Sequence, residues 1–225
     1  MTERPILFST NMVQALLNGI KAMTRRTKGL EYINNNPERW KFIGMGGLDE
    51  NPKYIFECET GRVSAYCHYG KIGDVIYVRE TSRIVHINHN LKSGGFFTIQ
   101  YKDFYVLSFD RVKEFQFDLQ NTFYKNSYEI SNGDAYGNWK SSIFMPKKAA
   151  RIFLEITNVR IEQLNSITVS DCRSEGISIP NDDGTSFDAL EIIDSFKTLW
   201  QSINGPESWQ QNPWVFVIEF KQIKQ

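Results

Sequence analysis

The segment Trp214–Phe220 (WVFVIEF) constrains the fold more than any other, because six of its seven residues are apolar and all six are β-branched or aromatic. Such a run reads as a strand in the middle of a sheet, since both of its faces need cover. Upstream of it, Leu190, Ile193, Phe196, Leu199, Trp200 and Ile203 recur at steps of three and four. That spacing predicts a helix over Phe187–Asn204, stopped by Asn204-Gly205-Pro206.

The rest of the chain mixes short strands with a few helices. Met12, Val13, Leu16 and Leu17 follow the N-cap residues Ser9 and Thr10 and predict a helix over Thr10–Asn18, with Gly19 as its exit. Lys21–Lys28 (KAMTRRTK) comes next, with four positive charges; it reads as a strand that is exposed or functional. Tyr54–Cys58 and Arg62–Cys67 form a hairpin through Glu59–Gly61. Val75–Glu80 (VIYVRE) and Arg151–Arg160 (RIFLEITNVR) are strands, the latter with Ile152, Leu154 and Ile156 on one face. Ser170 caps a short helix, Ser170–Glu175, that ends at Gly176. Residues 83–138 read as an insertion, with strands at Phe96–Gln100 and Phe104–Phe109 and an exposed loop over Asn121–Asn138. A helix, many strands, two helices and a strand make an α+β order, because a parallel α/β sheet would alternate strictly.

Composition removes several functions. Lys plus Arg and Asp plus Glu are 26 each, so the net charge is zero and non-specific DNA binding lacks its electrostatic basis. No apolar run reaches the ~18 residues of a membrane span, and the first ten residues lack the features of a signal peptide. Three cysteines, Cys58, Cys67 and Cys172, are too few for a disulfide framework, and their spacing with His68 has no C-x-x-C pair. The expectation is a cytoplasmic protein with free cysteines, no metal and no cofactor. No phosphate-binding loop, dinucleotide fingerprint or H-E-x-x-H is present.

Several segments together resemble one family. Gly19-Ile20-Lys21-Ala22-Met23-Thr24-Arg25-Arg26 resembles the G-x-K-x-x-E/T-x-R element of the ASCH domains, which are PUA-like β-barrels. Gly73-Asp74-Val75-Ile76-Tyr77-Val78-Arg79-Glu80 resembles their G-D-x-[ILV]-x-V-[KR]-E element. Trp139-Lys140 with Ser142-Ile143-Phe144-Met145-Pro146 is similar to the W-[RK]-x-S-I-x-M-P stretch of larger phage and prophage members, and Trp214–Lys221 to the usual terminal strand. The resemblance implies an α+β fold in one domain over 1–225: a small PUA-like barrel with flanking helices and a large insertion at about 83–138.

The resemblance also implies chemistry. A small bacterial member hydrolyses N4-acetylcytidine with a Lys, Thr and Glu constellation. Its motif falls here on Lys21 and Thr24, and its glutamate, in a short helix soon after a long strand, on Glu175. Thr24 then supplies a nucleophilic hydroxyl, Lys21 takes its proton or holds the oxyanion, and Glu175 activates water or serves the leaving amine. Residues 21 and 24 share a face on a helical turn but not in a regular strand, so the constellation needs a bend after Gly19. The plain alternative is a solvated, charged edge.

Other residues carry recognition. Arg26, Tyr69, Arg79, Glu80 and Trp139 are candidates for substrate binding, with an Arg–Glu pair reading the edge of a base. A structural ion pair is the alternative for Arg79 and Glu80. Arg25, Lys28, Lys147, Lys148 and Arg151 are candidates for a basic rim on a phosphate backbone, with Trp139 stacking on a base. Exposed solubilising lysines and a packed tryptophan explain the same residues equally well. Two function classes follow: an amidohydrolase of an acylated nucleoside or base, or a non-catalytic module that reads a modified nucleoside or single-stranded RNA. An RNA-cleaving ASCH protein is a third, weaker reading.

Overall fold

The computed structural model describes residues 2–47, 52–88, 96–103, 106–110, 128–131, 134–137, 139–178 and 186–223. Its elements mix α and β throughout. In chain order they begin with β1 (Glu3–Leu7), α1 (Thr10–Leu17), β2 (Met23–Arg26), α2 (Glu31–Asn34), β3 (Lys41–Gly46), β4 (Lys53–Cys58), β5 (Gly61–Ala65) and β6 (Val75–Arg79). There follow β7 (Ser82–Asn88), β8 (Phe96–Tyr101), β9 (Val106–Asp110), β10 (Tyr128–Ser131), β11 (Asp134–Gly137) and β12 (Phe153–Gln163). The chain then forms α3 (Val169–Ser174), α4 (Ser186–Asn204) and β13 (Trp214–Ile223).

The main sheet has five strands in the order β1-β6-β12-β13-β2. The strands expected at Val75–Glu80, Arg151–Arg160 and Trp214–Phe220 are its three central members. Their side chains explain why: Ile76, Val78, Ile152, Leu154, Ile156, Val215, Phe216, Val217 and Ile218 are all fully buried. Strands β1 and β2 are its edges, so the sheet is open and not the closed barrel expected. Separate sheets are formed by β3-β4-β5, by β7-β8-β9 and by the β10–β11 hairpin.

Contacts along the chain divide it into two compact units. The first comprises Met1–Arg4, Ala15–Ile76 and Leu154–Gln225; the second comprises Pro5–Gln14 and Tyr77–Phe153. In the first unit, Met23, Val215 and Val217 pack with Leu164, Ile167, Cys172, Ile192, Phe196 and Trp200 in one apolar cluster. This is the helix-facing side of the sheet, since α3 and α4 supply four of those nine residues. Tyr54, Phe56, Trp214 and Phe216 form an aromatic cluster, with edge-on ring pairs 5.2 Å apart for Tyr54–Phe216 and Phe56–Trp214. The Asn34 side chain clips α2 to β13 by donating to the Trp214 carbonyl and accepting its N–H. In the second unit, the buried Tyr101 hydroxyl donates to the Ala149 carbonyl at 2.6 Å, and Met145 is fully buried.

Some expectations on the local structure change. The cap of α3 is Thr168 and not Ser170: Thr168 and Asp171 form a reciprocal capping box, which satisfies two helix N-terminal donors at once. Asn121–Asn138 is not wholly a loop, since β10 pairs with β11 within it. Residues 121–127, 132, 133 and 138 of that stretch lie outside the described residues, as do Phe104 and Tyr105. The Lys21–Lys28 strand shortens to β2 and is buried along Met23–Arg25, not exposed.

Candidate functional site

The site is built where the exit of α1 meets the end of α3. Helix α1 closes at Gly19, whose φ of 71° is the left-handed turn that releases the chain sideways. Both Ile20 and Lys21 then donate their N–H to the Ala15 carbonyl, at 2.9 and 3.0 Å. One residue on, Ala22 donates to the Ser174 carbonyl at the end of α3, at 2.8 Å. The chain thus bends after Gly19, and the bend seats Lys21 directly against α3. Gly176 completes the fit: its φ is 93°, and a Cβ there would lie 2.8 Å from the Ala15 Cβ and 3.4 Å from the Lys21 Cβ. Glycine is required on both counts.

Lys21 and Glu175 meet at this junction. The Lys21 ammonium donates to Glu175 Oε2 at 2.9 Å and to the Glu175 carbonyl at 2.7 Å. The side chain of Lys21 is fully buried and that of Glu175 is 5% exposed. Burial pulls the Lys21 ammonium below its ordinary proton affinity; Glu175 opposes that shift, and Arg26 and Arg25 add to it. A lysine so placed releases its proton more readily than one in water.

Strand β2 divides its side chains between two faces. Met23 and Arg25 belong to the face that packs on the helices, and Arg25 lies 5.9 Å from the Phe196 ring centre. Thr24 and Arg26 belong to the other face, in register with Ile218 and Phe216 of β13. Thr24 is buried, and the Arg26 guanidinium sits 5.9 Å from the ring centre of Tyr69. Burial lowers the proton affinity of Arg26, while Tyr69 and Glu175 work the other way. The structure thus joins Lys21 to Glu175, and Arg26 to Tyr69. Among the described hydrogen bonds, none links the Thr24 hydroxyl to Lys21 or Glu175.

Arg25 is not on a basic rim. Its Nη1 donates to Glu175 Oε1 at 3.2 Å, its Nη2 to Asp171 Oδ2 at 3.0 Å, and Nη2 and Nε to Glu162 Oε1 at 2.5 and 3.2 Å. Three carboxylates inside the first unit consume the charge that a phosphate backbone would need. They outweigh the cost of burial and hold Arg25 above its ordinary value. Arg160 extends the network, donating to Glu162, Asp171 and Glu219. Asp171 sits below the usual carboxylate range: burial raises it, but the Thr168 N–H, Arg25 and Arg160 prevail. Side-chain exposure rises outward from Lys21 and Arg25, through Glu162 and Asp171, to about a third at Arg160 and Glu219.

Comparison with protein-family models, with curated proteins and with solved structures found no match for this chain.

The second unit holds a different charge cluster. Arg151 was expected on the rim but is buried, donating to both oxygens of Glu80 at 3.0 and 2.6 Å and to Asp103 at 2.6 Å. Its guanidinium lies 4.3 Å from the centre of the Tyr101 ring. Burial raises the proton affinity of Glu80, Arg151 opposes the rise, and Asp103 adds to it. Glu80 is therefore paired with Arg151 and not with Arg79, its expected partner. Arg79 instead donates to the Ile143 carbonyl and to the Tyr77 hydroxyl. Trp139 is half-buried, with the Arg83 guanidinium and the Lys102 ammonium 4.7 and 4.1 Å from its ring centre. Lys28, Lys147 and Lys148 are exposed, as a rim would need.

Sequence reasoning missed Glu162, Asp171, Arg160 and Glu219. Their spacing held the signal: Asp171 on α3 and Glu175 at its C-cap are four apart, and Arg160 and Glu162 are two apart on β12, so each pair shares a face. Among the described residues, no group of three or more His, Cys, Asp or Glu is arranged to hold a metal ion. No helix among them is long and apolar enough to cross a membrane.

Proposed function

We propose that the chain is a metal-independent amidohydrolase acting on an acylated nucleoside or base such as N4-acetylcytidine, within the PUA-like ASCH family. The observation that carries this reading is the buried contact between Lys21 and Glu175, 154 residues apart in the chain. Burying a lysine and a carboxylate costs desolvation free energy that their mutual attraction often does not offset, so such a pair is weak evidence of stability and a candidate marker of chemistry. The family assignment rests on the motifs at 19–26 and 73–80 and not on barrel closure.

In this scheme the bound substrate brings Lys21, with its lowered proton affinity, to the Thr24 hydroxyl, to which none of the described hydrogen bonds joins it, and Lys21 takes the Thr24 proton as the hydroxyl oxygen attacks the acyl carbon. The C–N bond then breaks, and the Lys21 proton passes to the leaving amine. Water, deprotonated by Glu175, hydrolyses the acyl-threonine ester and frees the acid and the threonine. Arg26 and Tyr69, on the Thr24 face of β2, hold the base. Incubation with N4-acetylcytidine, followed by chromatography, tests it: cytidine and acetate are released in equal amounts. Thr24→Ser retains part of the activity and Thr24→Val none. Full activity in Thr24→Val defeats the scheme.

One observation favours the reader class. Trp139, with Arg83 and Lys102 on its ring and Lys147 and Lys148 exposed in the same unit, is the composition of a single-strand stacking site. Tight binding of a modified nucleoside or single-stranded RNA without turnover selects that reading.

A further inference from the structure

We propose that Arg25 is the positioning residue of the site: its guanidinium fork fixes the Glu175 carboxylate so that one oxygen is kept for Lys21. This rests on the reading of Lys21 and Glu175 as the working pair. The two oxygens of Glu175 are divided, Oε1 to Arg25 Nη1 and Oε2 to Lys21 Nζ. Arg25 is itself anchored away from Glu175, by Nε and Nη2 on Glu162 and by Nη2 on Asp171. Both anchors are held in turn: Asp171 by the capping box of α3 and by Arg160, Glu162 by Arg160. The Phe196 ring lies 5.9 Å from the guanidinium carbon. A carboxylate tied in this way cannot swing toward Lys21 with both oxygens.

Only a guanidinium does this. It offers five donors in a rigid plane, and Arg25 makes four hydrogen bonds with them to three carboxylates, from β12 and from α3 with its cap. An ammonium has three donors around one point and cannot span the same set. The charged groups around the pair are Arg25 and Arg26 from β2, Asp171 and Glu175 from α3 and its cap, Glu162 and Arg160 from β12, and Glu219 of β13 beyond Arg160. Removing Arg25 takes a cation away from Lys21 and frees Glu175 to close on it. Both changes make Lys21 keep its proton to higher pH.

The test reads Lys21 directly. Protein labelled with 13C at the lysine ε-carbon is titrated by NMR without substrate, and the Lys21 signal is assigned by its loss in Lys21→Arg. The titration midpoint of Lys21 moves to higher pH in Arg25→Met and by a smaller step in Arg25→Lys, which keeps the charge but not the fork. Arg62→Met, which breaks the exposed pair with Glu57, leaves it in place. A Lys21 midpoint that is the same in wild type, Arg25→Met and Arg25→Lys overturns the proposal, as does an equal shift in Arg62→Met. If Arg25→Met does not fold, Arg25→Lys carries the same two outcomes. An inactive protein whose Lys21 shifts breaks the functional reading and keeps the positioning; an active protein whose Lys21 does not move does the reverse.

Discussion

The two buried charge clusters are built from similar parts and differ in one residue type. In the first unit Glu175 is shared by Lys21 and Arg25; in the second Glu80 is clamped, among the described residues, by Arg151, with Asp103 on the same guanidinium. A guanidinium never gives up its proton at accessible pH, so the cation of the Arg151 cluster cannot act as a base. An ammonium in the same degree of burial can. The lesson is that burial of opposite charges does not by itself distinguish the two clusters; the titratable cation in the first does, and the proposed function rests on it.

Activity gives the largest contrast. Lys21→Ala and Glu175→Gln each lower the rate of acyl release from N4-acetylcytidine by several powers of ten, the usual cost of removing a base or nucleophile partner. Steady-state kinetics on folded variants checks this, and a loss below about tenfold in either breaks the proposed roles. Stability gives the second contrast, in the opposite direction. Arg151→Met leaves Glu80 and Asp103 buried without their shared partner and costs ~3–5 kcal/mol. Lys21→Met leaves Glu175 its bond to Arg25, and costs ~1–3 kcal/mol. Urea unfolding compares them, and an equal loss in both means that Arg25 does not support Glu175.

The pH profile sharpens the same comparison. Folded Lys21 binds its proton less tightly than the unfolded residue, whose ordinary value is 10.5. The unfolded state therefore carries more protons, and the contribution of Lys21 to stability rises with pH between the lowered folded value and 10.5. Glu80 has the opposite sign: its folded carboxyl binds a proton more tightly than the ordinary 4.5, so its contribution falls as pH rises from 4.5 through the raised folded value. Thermal melts across pH should show the alkaline slope flatten in Lys21→Met and the acidic slope flatten in Glu80→Gln. Slopes that survive both substitutions assign the pH dependence elsewhere.

The smallest effect tests the reader class. If single-stranded RNA binds the second unit, replacing Lys147 and Lys148 with Ala reduces the slope of log affinity against log salt by ~1.4, at ~0.7 per phosphate contact. An unchanged slope in filter binding removes these lysines from any interface.

The long periodic elements were legible in the sequence because their pattern is fixed by burial alone. Helices α1 and α4 and strand β13 begin or end within a few residues of the periodic runs at Met12–Leu17, Leu190–Ile203 and Trp214–Phe220. The β10–β11 hairpin was hidden by an Asn, Ser and Gly composition, although Asn132-Gly133 between Ser131 and Asp134 is a strong hairpin signal in itself. The site was legible only through the resemblance, and only as residue types. Nothing local distinguishes Arg25 from Arg26: adjacent strand residues point to opposite faces, and the carboxylates that claim Arg25 lie 137 to 150 residues further on. Likewise Glu80 shows no preference in sequence between Arg79, its neighbour, and Arg151, 71 residues away.

That separation also has a meaning in time. Lys21 waits for a partner 154 residues downstream, so at ~5–20 residues per second of synthesis the gap on a ribosome is roughly 8–30 s. Strand β2 waits longer, because its neighbour in the sheet is β13. Closing a loop of that length costs ~4.5 kcal/mol in chain entropy before the contact returns anything. The charge on KAMTRRTK, which is a burden in the finished core, keeps the nascent segment in water during that interval and away from other unpaired strands.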